Sequence, residues 1–168
     1  MPFTPFHFGP ALLAKSLAPK WFSWTAFVAS QIVIDLESLY YLSRHEYPVH
    51  RVLHTLVGAT VAGLATALLV LGGCRLLRGA MPAFARYPHL RSEGAPRAIF
   101  VGAIAGGVSH PLLDGLMHAD VRPLAPWTAA NPWLELVSLD VLHYGCLLCG
   151  VLGALLLALR GRIARLSP

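Results

Sequence analysis

Charge is scarce in this chain: 13 basic and 8 acidic residues amount to 12% of its 168 residues, against 56% hydrophobic ones and a mean hydropathy of +0.61. Soluble globular domains carry about a quarter charged residues, so an ordinary water-soluble domain is a poor reading. Cysteine is scarce too, with only Cys74, Cys146 and Cys149. The last two form a lone CxxC in an apolar stretch, where an intrahelical disulfide has poor geometry. All three read as small apolar packing groups, which leaves any metal chemistry to nitrogen and oxygen ligands. Ionisable side chains are missing altogether from residues 62–71 and 151–159.

Long apolar runs fill the space that charge leaves. Residues 21–42, 52–77, 97–118 and 134–159 each reach the roughly 20 helical residues that cross a hydrocarbon core. The expected fold is all-α: one integral-membrane domain over residues 1–168, built as a four-helix transmembrane bundle. Residues 5–17 are too short to cross and are expected to form an interfacial or re-entrant helix. After Lys15 and Lys20 the apolar run continues to Asp35 without a small-residue cleavage site, so the first span is expected to be retained. Basic residues gather at 15–20, in the loop 78–96 and after residue 159, whereas the loops at 43–51 and 119–133 hold only Arg44, Arg51 and Arg122. By the positive-inside rule the basic regions and both termini are cytoplasmic, and the two other loops face outward, the periplasm of a bacterial inner membrane. The net charge of +5 then reflects topology and anionic lipid, not nucleic acid.

The polar residues within or beside the spans are Asp35, Glu37, His50, His54, His110, Asp114, His118, Asp140 and His143. Such groups are costly in hydrocarbon and mark functional sites. At about 1.5 Å per helical residue, Asp35, His110 and Asp140 lie roughly 10, 12 and 9 Å below the outer ends of their spans. One shared level suits one shared site. His50 and His54 are four apart, as are His110, Asp114 and His118, so each set is expected to line one helical face and converge on an ion. Imidazole and carboxylate together suit one or two divalent ions, zinc first and manganese or iron as alternatives. Asp35 and Glu37, two apart, point away from each other on a regular helix, and Asp35 is the expected ligand. His7 and His143 are further candidates, open between ligand and outer partner. Asp120 and Asp140 read as structural or supporting groups, Asp140 as one that orients a ligand imidazole. Gly102, Gly106 and Gly107 with Pro111 predict close packing and a loosened third span.

The order of His7, the acidic pair Asp35-Leu-Glu37-Ser38, the segment His50-Arg51-Val52-Leu53-His54-Thr55 and His110-x-x-x-Asp114 resembles the YdjM-like family of membrane-bound metal-dependent hydrolases. The resemblance runs over roughly residues 5–127. Glu37 replaces the family's usual second aspartate, and the His-Arg segment is one residue shorter than the family's. What the resemblance implies is a hydrolase of unsettled substrate. On that footing Asp35, His50, His54, His110, Asp114 and His118 are the expected metal ligands, and Glu37 or Asp114 the general base. Arg51 and Arg122 on the outer loops are the expected receptors for an anionic head group. The substrate would be an amphiphilic or lipid-linked ester met at the membrane surface beneath a stiff outer loop, residues 119–133. A homo-oligomer is compatible with all of this. The competing class is a divalent-metal transporter, which needs a polar path that residues 62–71 and 151–159 do not supply. A b-type haem would use two histidines and leave Asp35 and Asp114 without a role.

Overall fold

Helix starts in this chain are set by short polar residues and proline. The computed structural model describes residues 5–80 and 93–166, and every regular element among them is helical. A 3-10 turn at Pro5–His7 leads into α1 (Phe8–Leu17), followed by α2 (Trp24–Ser43), α3 (Leu56–Ala80), α4 (Pro96–Met117) and α5 (Leu139–Leu166). Ser23 caps α2, its Oγ accepting the Ala26 amide at 3.2 Å. Thr55 Oγ1 accepts the Gly58 amide at 2.9 Å where α3 begins. Pro96 opens α4, where its missing N–H costs nothing.

Among the described residues three helices are long and apolar enough to cross a membrane: Leu56–Ala80, Pro96–Met117 and Leu139–Ile163. Four were expected. Helix α2 has the length, 20 residues, but Ser30, Gln31, Asp35, Glu37 and Ser38 dilute its apolar character. Two span boundaries also differ. The stretch 51–55 is turn and bend, so His50 and His54 precede α3, and α5 begins at Leu139, not at 134. Helix α3 runs to Ala80, into the expected loop 78–96, while Arg86, His89 and Arg91 lie outside the described residues.

Helix α4 is the hub. Apolar contact gives little drive between helices in hydrocarbon, so close approach depends on small residues. A Cβ on Gly106 would lie 2.2 Å from Ser30 Oγ and 2.7 Å from the Phe27 carbonyl of α2, while one on Gly107 would lie 2.4 Å from the Ala59 carbonyl of α3. Adjacent glycines thus seat α4 against two helices at once, and they do so one turn before His110. Leu69 of α3 (72% exposed) and Leu155 of α5 (55%) face outward, as side chains meeting lipid would.

Helix α1 lies alongside α5. Phe6 stacks on His143 with ring centroids 4.4 Å apart, and an added Cβ at Gly153 would meet the Leu12 and Leu13 backbone at 2.6 Å. The two helices run in the same direction. At the far end of α1, Lys15 donates to the carbonyls of Pro19 (3.0 Å) and Phe22 (2.8 Å) and pairs with Glu93.

Glu93 ties that end together, accepting from Ser23 Oγ and the Thr25 amide, both at 3.0 Å, as well as from Lys15. Burial works against its charge, yet the Lys15 and Thr25 hydrogen bonds and the Lys15 ammonium hold the carboxyl below its usual range. A depressed folded value means that the stabilisation is full above the ordinary glutamate value of 4.5 and fades as pH falls through the lower folded one. Glu93→Gln should therefore cost about 1.5–3 kcal/mol at pH 7, the worth of a charged hydrogen bond. Thermal unfolding in detergent between pH 7 and pH 3 measures it, and the gap to wild type must narrow on acidification.

Candidate metal centre

Five imidazoles stand in a row. Successive ring centroids are 4.9 Å apart from His7 to His110, 5.0 Å to His54, 4.6 Å to His50 and 4.6 Å to His118. Four different pieces of chain deliver the residues around them. The Pro5–His7 turn brings His7; α2 brings Gln31 and Asp35, four apart; residues 44–55 bring His50 and His54. Helix α4 brings His110 and Asp114, also four apart, and His118 sits at its C-cap.

Asp114 is the focus. One of its oxygens lies 3.2 Å from His7 Nε2, and the other lies 3.1 Å from His110 Nε2 and 3.6 Å from His54 Nε2. An oxygen of Asp35 lies 3.4 Å from His110 Nε2. His54, His110 and Asp114 are almost wholly buried, at 0, 1 and 3% exposure.

The outer nitrogens explain what faces inward. Gln31 Nε2 donates to the Gly106 carbonyl at 3.0 Å and to Ser109 Oγ at 3.3 Å, which turns Oε1 toward both His7 Nδ1 (3.2 Å) and His110 Nδ1. An amide oxygen only accepts, so both Nδ1 atoms carry the proton and both Nε2 atoms are the ones turned toward Asp114. Glu37 Oε2 likewise holds His54 Nδ1 at 3.2 Å, and Asp120 Oδ1 holds His50 Nδ1 at 2.8 Å. In all four imidazoles an acceptor outside the cluster fixes the tautomer that a metal ligand needs. The Nε2 atoms of His7 and His110 are buried and make no hydrogen bond, although Asp114 oxygens lie close by. With neutral rings each Nε2 presents a lone pair to a carboxylate oxygen, an arrangement that a cation between them would satisfy. Ligand atoms about 2.1 Å from one ion, at angles of about 90–110°, lie roughly 3.0–3.4 Å apart. The separations around Asp114 have that size.

Three donor groups could each hold an ion: His7 with His110 and Asp114; Asp35 with His54 and His110; and His50 with Asp114 and His118. Among the described residues these are the groups of this kind, His110 linking the first to the second and Asp114 the first to the third.

The supporting carboxylates also shape the chain that brings His50 and His54. Glu37 accepts the amides of Arg51 (3.1 Å) and Leu53 (3.0 Å), and Asp120 accepts those of Val49 (3.1 Å) and His50 (3.2 Å). Burial works against the Asp120 charge, but its hydrogen bond and charge interaction with His50 and the two amides hold the carboxyl below its usual range. The cluster has an opening at each end. His50 lines a cavity of about 290 Å³ with Arg51 and Arg122, and His7 lines a groove of about 180 Å³. The Arg51 guanidinium is tethered to the Pro48 carbonyl (2.9 Å) and Glu46 (3.0 Å) and lies 3.5 Å over the Tyr41 ring. Arg122 is exposed and has no ion pair among the described residues.

Measured against expectation, Asp35, His50, His54, His110, Asp114 and His118 come together, but only His110 and Asp114 do so along one helical face. His50 and His54 belong to a non-helical segment, and His118 has left the helix, with φ −114° and ψ 119°. Glu37 does not fit the expected base, since its oxygens are taken by two amides and an imidazole. His7 joins the centre through the Pro5–His7 turn. His143 stacks on Phe6 outside the cluster, and exposed Asp140 orients no ligand, a task that falls to Asp120. The residue the sequence reading missed is Gln31, whose available signal was a buried amide one turn before Asp35. Residues 119–133 do cover one side: Asn131 Nδ2 donates to the Gly115 carbonyl at 2.8 Å, and the Pro123 carbonyl accepts the Leu56 amide at 2.9 Å.

No family model matches the chain, and neither a curated protein nor a solved structure matches it.

Proposed function

We propose that this is an integral-membrane, metal-dependent hydrolase acting on an ester or phosphoester of an amphiphile. The observation that carries the reading is the set of imidazoles whose Nδ1 atoms are held from outside, with the Nε2 atoms of His7, His110 and, beside its Ser38 contact, His54 turned toward Asp114. His7, His110 and Asp114, with His54 at the edge, would hold one ion; His50 and His118, sharing Asp114, would hold a second. A divalent cation there supplies Lewis acidity and a water ionised near neutral pH, and zinc fits the donor set first, manganese or iron after it. Asp114 is crowded by three imidazoles and Glu37 is engaged, so Asp35 is the carboxylate best placed to accept the water's proton. Arg122, which has no ion pair among the described residues, and the tethered Arg51 line the cavity beside His50, where a phosphate or carboxylate head group would be received.

Orientation follows from the basic end of the bundle. Lys15 at Glu93, Arg78 on the Gly94 carbonyl (2.8 Å) and Arg97 over the Trp21 ring (3.9 Å) support a cytoplasmic reading of that end, with the imidazole row toward the opposite face. Helix α1 is then a re-entrant half-helix of about 15 Å, from the metal centre to the cytoplasmic end. Transport is the weaker reading. Between Leu56 and Gly73 in α3, and between Ala98 and Ser109 in α4, no side chain is ionisable, so an ion leaving the site inward has no further ligand.

The test is hydrolysis of glycerophospholipids and simple lipid esters in mixed micelles by detergent-purified protein. Turnover should vanish with a chelator and return with added zinc or manganese. Metal-loaded, folded protein that cleaves none of these substrates but carries zinc across proteoliposomes would replace the hydrolase with a transporter.

A further inference from the structure

The groove at the His7 end of the cluster lies between α1 and α4. Pro10, Ala11 and Ala14 form one wall, Ala105 and Leu113 the other, and its volume is about 180 Å³. Its two polar lining groups are already engaged or aimed elsewhere: Ser109 Oγ meets the Gly106 carbonyl and Gln31, and His7 faces Gln31 and Asp114. The rest is apolar, with Phe22 and Phe27 beside the alanines. From Ala105 to Leu113 the α4 wall runs about 12 Å along the helix axis.

We infer that this groove holds one acyl chain of the substrate lipid, with the chain's polar end at His7. Three features select that occupant. Helix α4 is apolar and long enough to cross a membrane, so the groove borders hydrocarbon and filling it with a chain exposes no polar group. Packed helices stand about 8–10 Å apart, and a cleft of about 180 Å³ walled by three alanines has no room for another helix. The groove is also continuous with the metal centre, because His7 belongs to both. A chain lying in it brings the first polar bond of the lipid beside His7, at the edge of the ligand set. The substrate class is thereby an acylated amphiphile, a deepening that rests on the hydrolase reading.

Ala105→Leu and Ala14→Leu fill the groove without touching a donor atom. In nanodiscs of a phospholipid carrying a diazirine on one acyl chain, wild-type protein should be labelled on residues 10–14 and 105–113, and each variant should lose that labelling at least five-fold with metal content unchanged. For turnover, each variant should raise the KM of a long-chain ester about ten-fold and leave that of a two-carbon acyl ester unchanged. Labelling that simply follows lipid-facing exposure on α3 and α5, indifferent to both substitutions, would overturn the acyl groove. Groove labelling on a protein that hydrolyses nothing would instead overturn the enzyme and leave the chain site standing.

Discussion

Asp114→Ala, purified in detergent beside wild type, is expected to carry less than a tenth of the wild-type metal and to hydrolyse lipid ester at no more than about a thousandth of its rate. The size follows from position: Asp114 belongs to two of the three donor groups and faces the Nε2 atoms of His7, His54 and His110. Removing it takes the one anion in contact with all three of those nitrogens, and breaking a buried charged arrangement by deleting one partner costs about 3–5 kcal/mol. At 1.4 kcal/mol per factor of ten, that is two to four decades in affinity or rate. Asp114→Asn keeps the shape and supplies a neutral oxygen, so it should fold as wild type while still losing metal. Elemental analysis with thermal unfolding of both variants separates loss of ligand from loss of fold. Stoichiometric metal in either variant would remove Asp114 from the centre.

Much of this centre is written in the sequence as expense. Asp35, His54, His110 and Asp114 stand out because charge is so scarce around them, and scarcity is a signal that needs no alignment. The two-residue spacing of Asp35 and Glu37 also reads correctly: on α2 Asp35 faces His110, while Glu37 turns away to the chain that brings His54. Helical spacing misleads for His50 and His54, because a four-residue interval is equally compatible with a turn whose amides are satisfied by Glu37 and Asp120. Those are long-range partners, 14 to 71 residues away in sequence, and local periodicity carries no trace of them. His7 is illegible for a related reason. Charge near span ends speaks to the side on which a helix begins, but not to a half-helix packed along α5 with its first turn at the centre. Helix α2 reads as a span by length, and it falls short because the side chains that build the site are the ones that make it polar.

Gln31→Leu is expected to weaken metal binding about 10–100-fold, the usual loss when a partner behind a ligand is removed. The glutamine does two things at once. Its Nε2 is anchored on the Gly106 carbonyl and Ser109, and this anchoring decides that the oxygen, not the amino group, meets His7 and His110. Leucine fills a similar volume but accepts nothing, so both rings gain freedom to move the proton to Nε2 and rotate. Half of the imidazoles fixed from outside then present a donor, not a lone pair, to the ion. Gln31→Glu restores an acceptor at the same reach and should recover most of the affinity, whereas a residue needed only for packing would not be rescued by adding charge at a buried position. Zinc titration by calorimetry on wild type, Gln31→Leu and Gln31→Glu, with unfolding of the metal-free forms alongside, decides the matter. Equal zinc affinity in wild type and Gln31→Leu, at equal stability, would mean that the tautomers are set by the metal itself and that Gln31 merely fills space between α2 and α4.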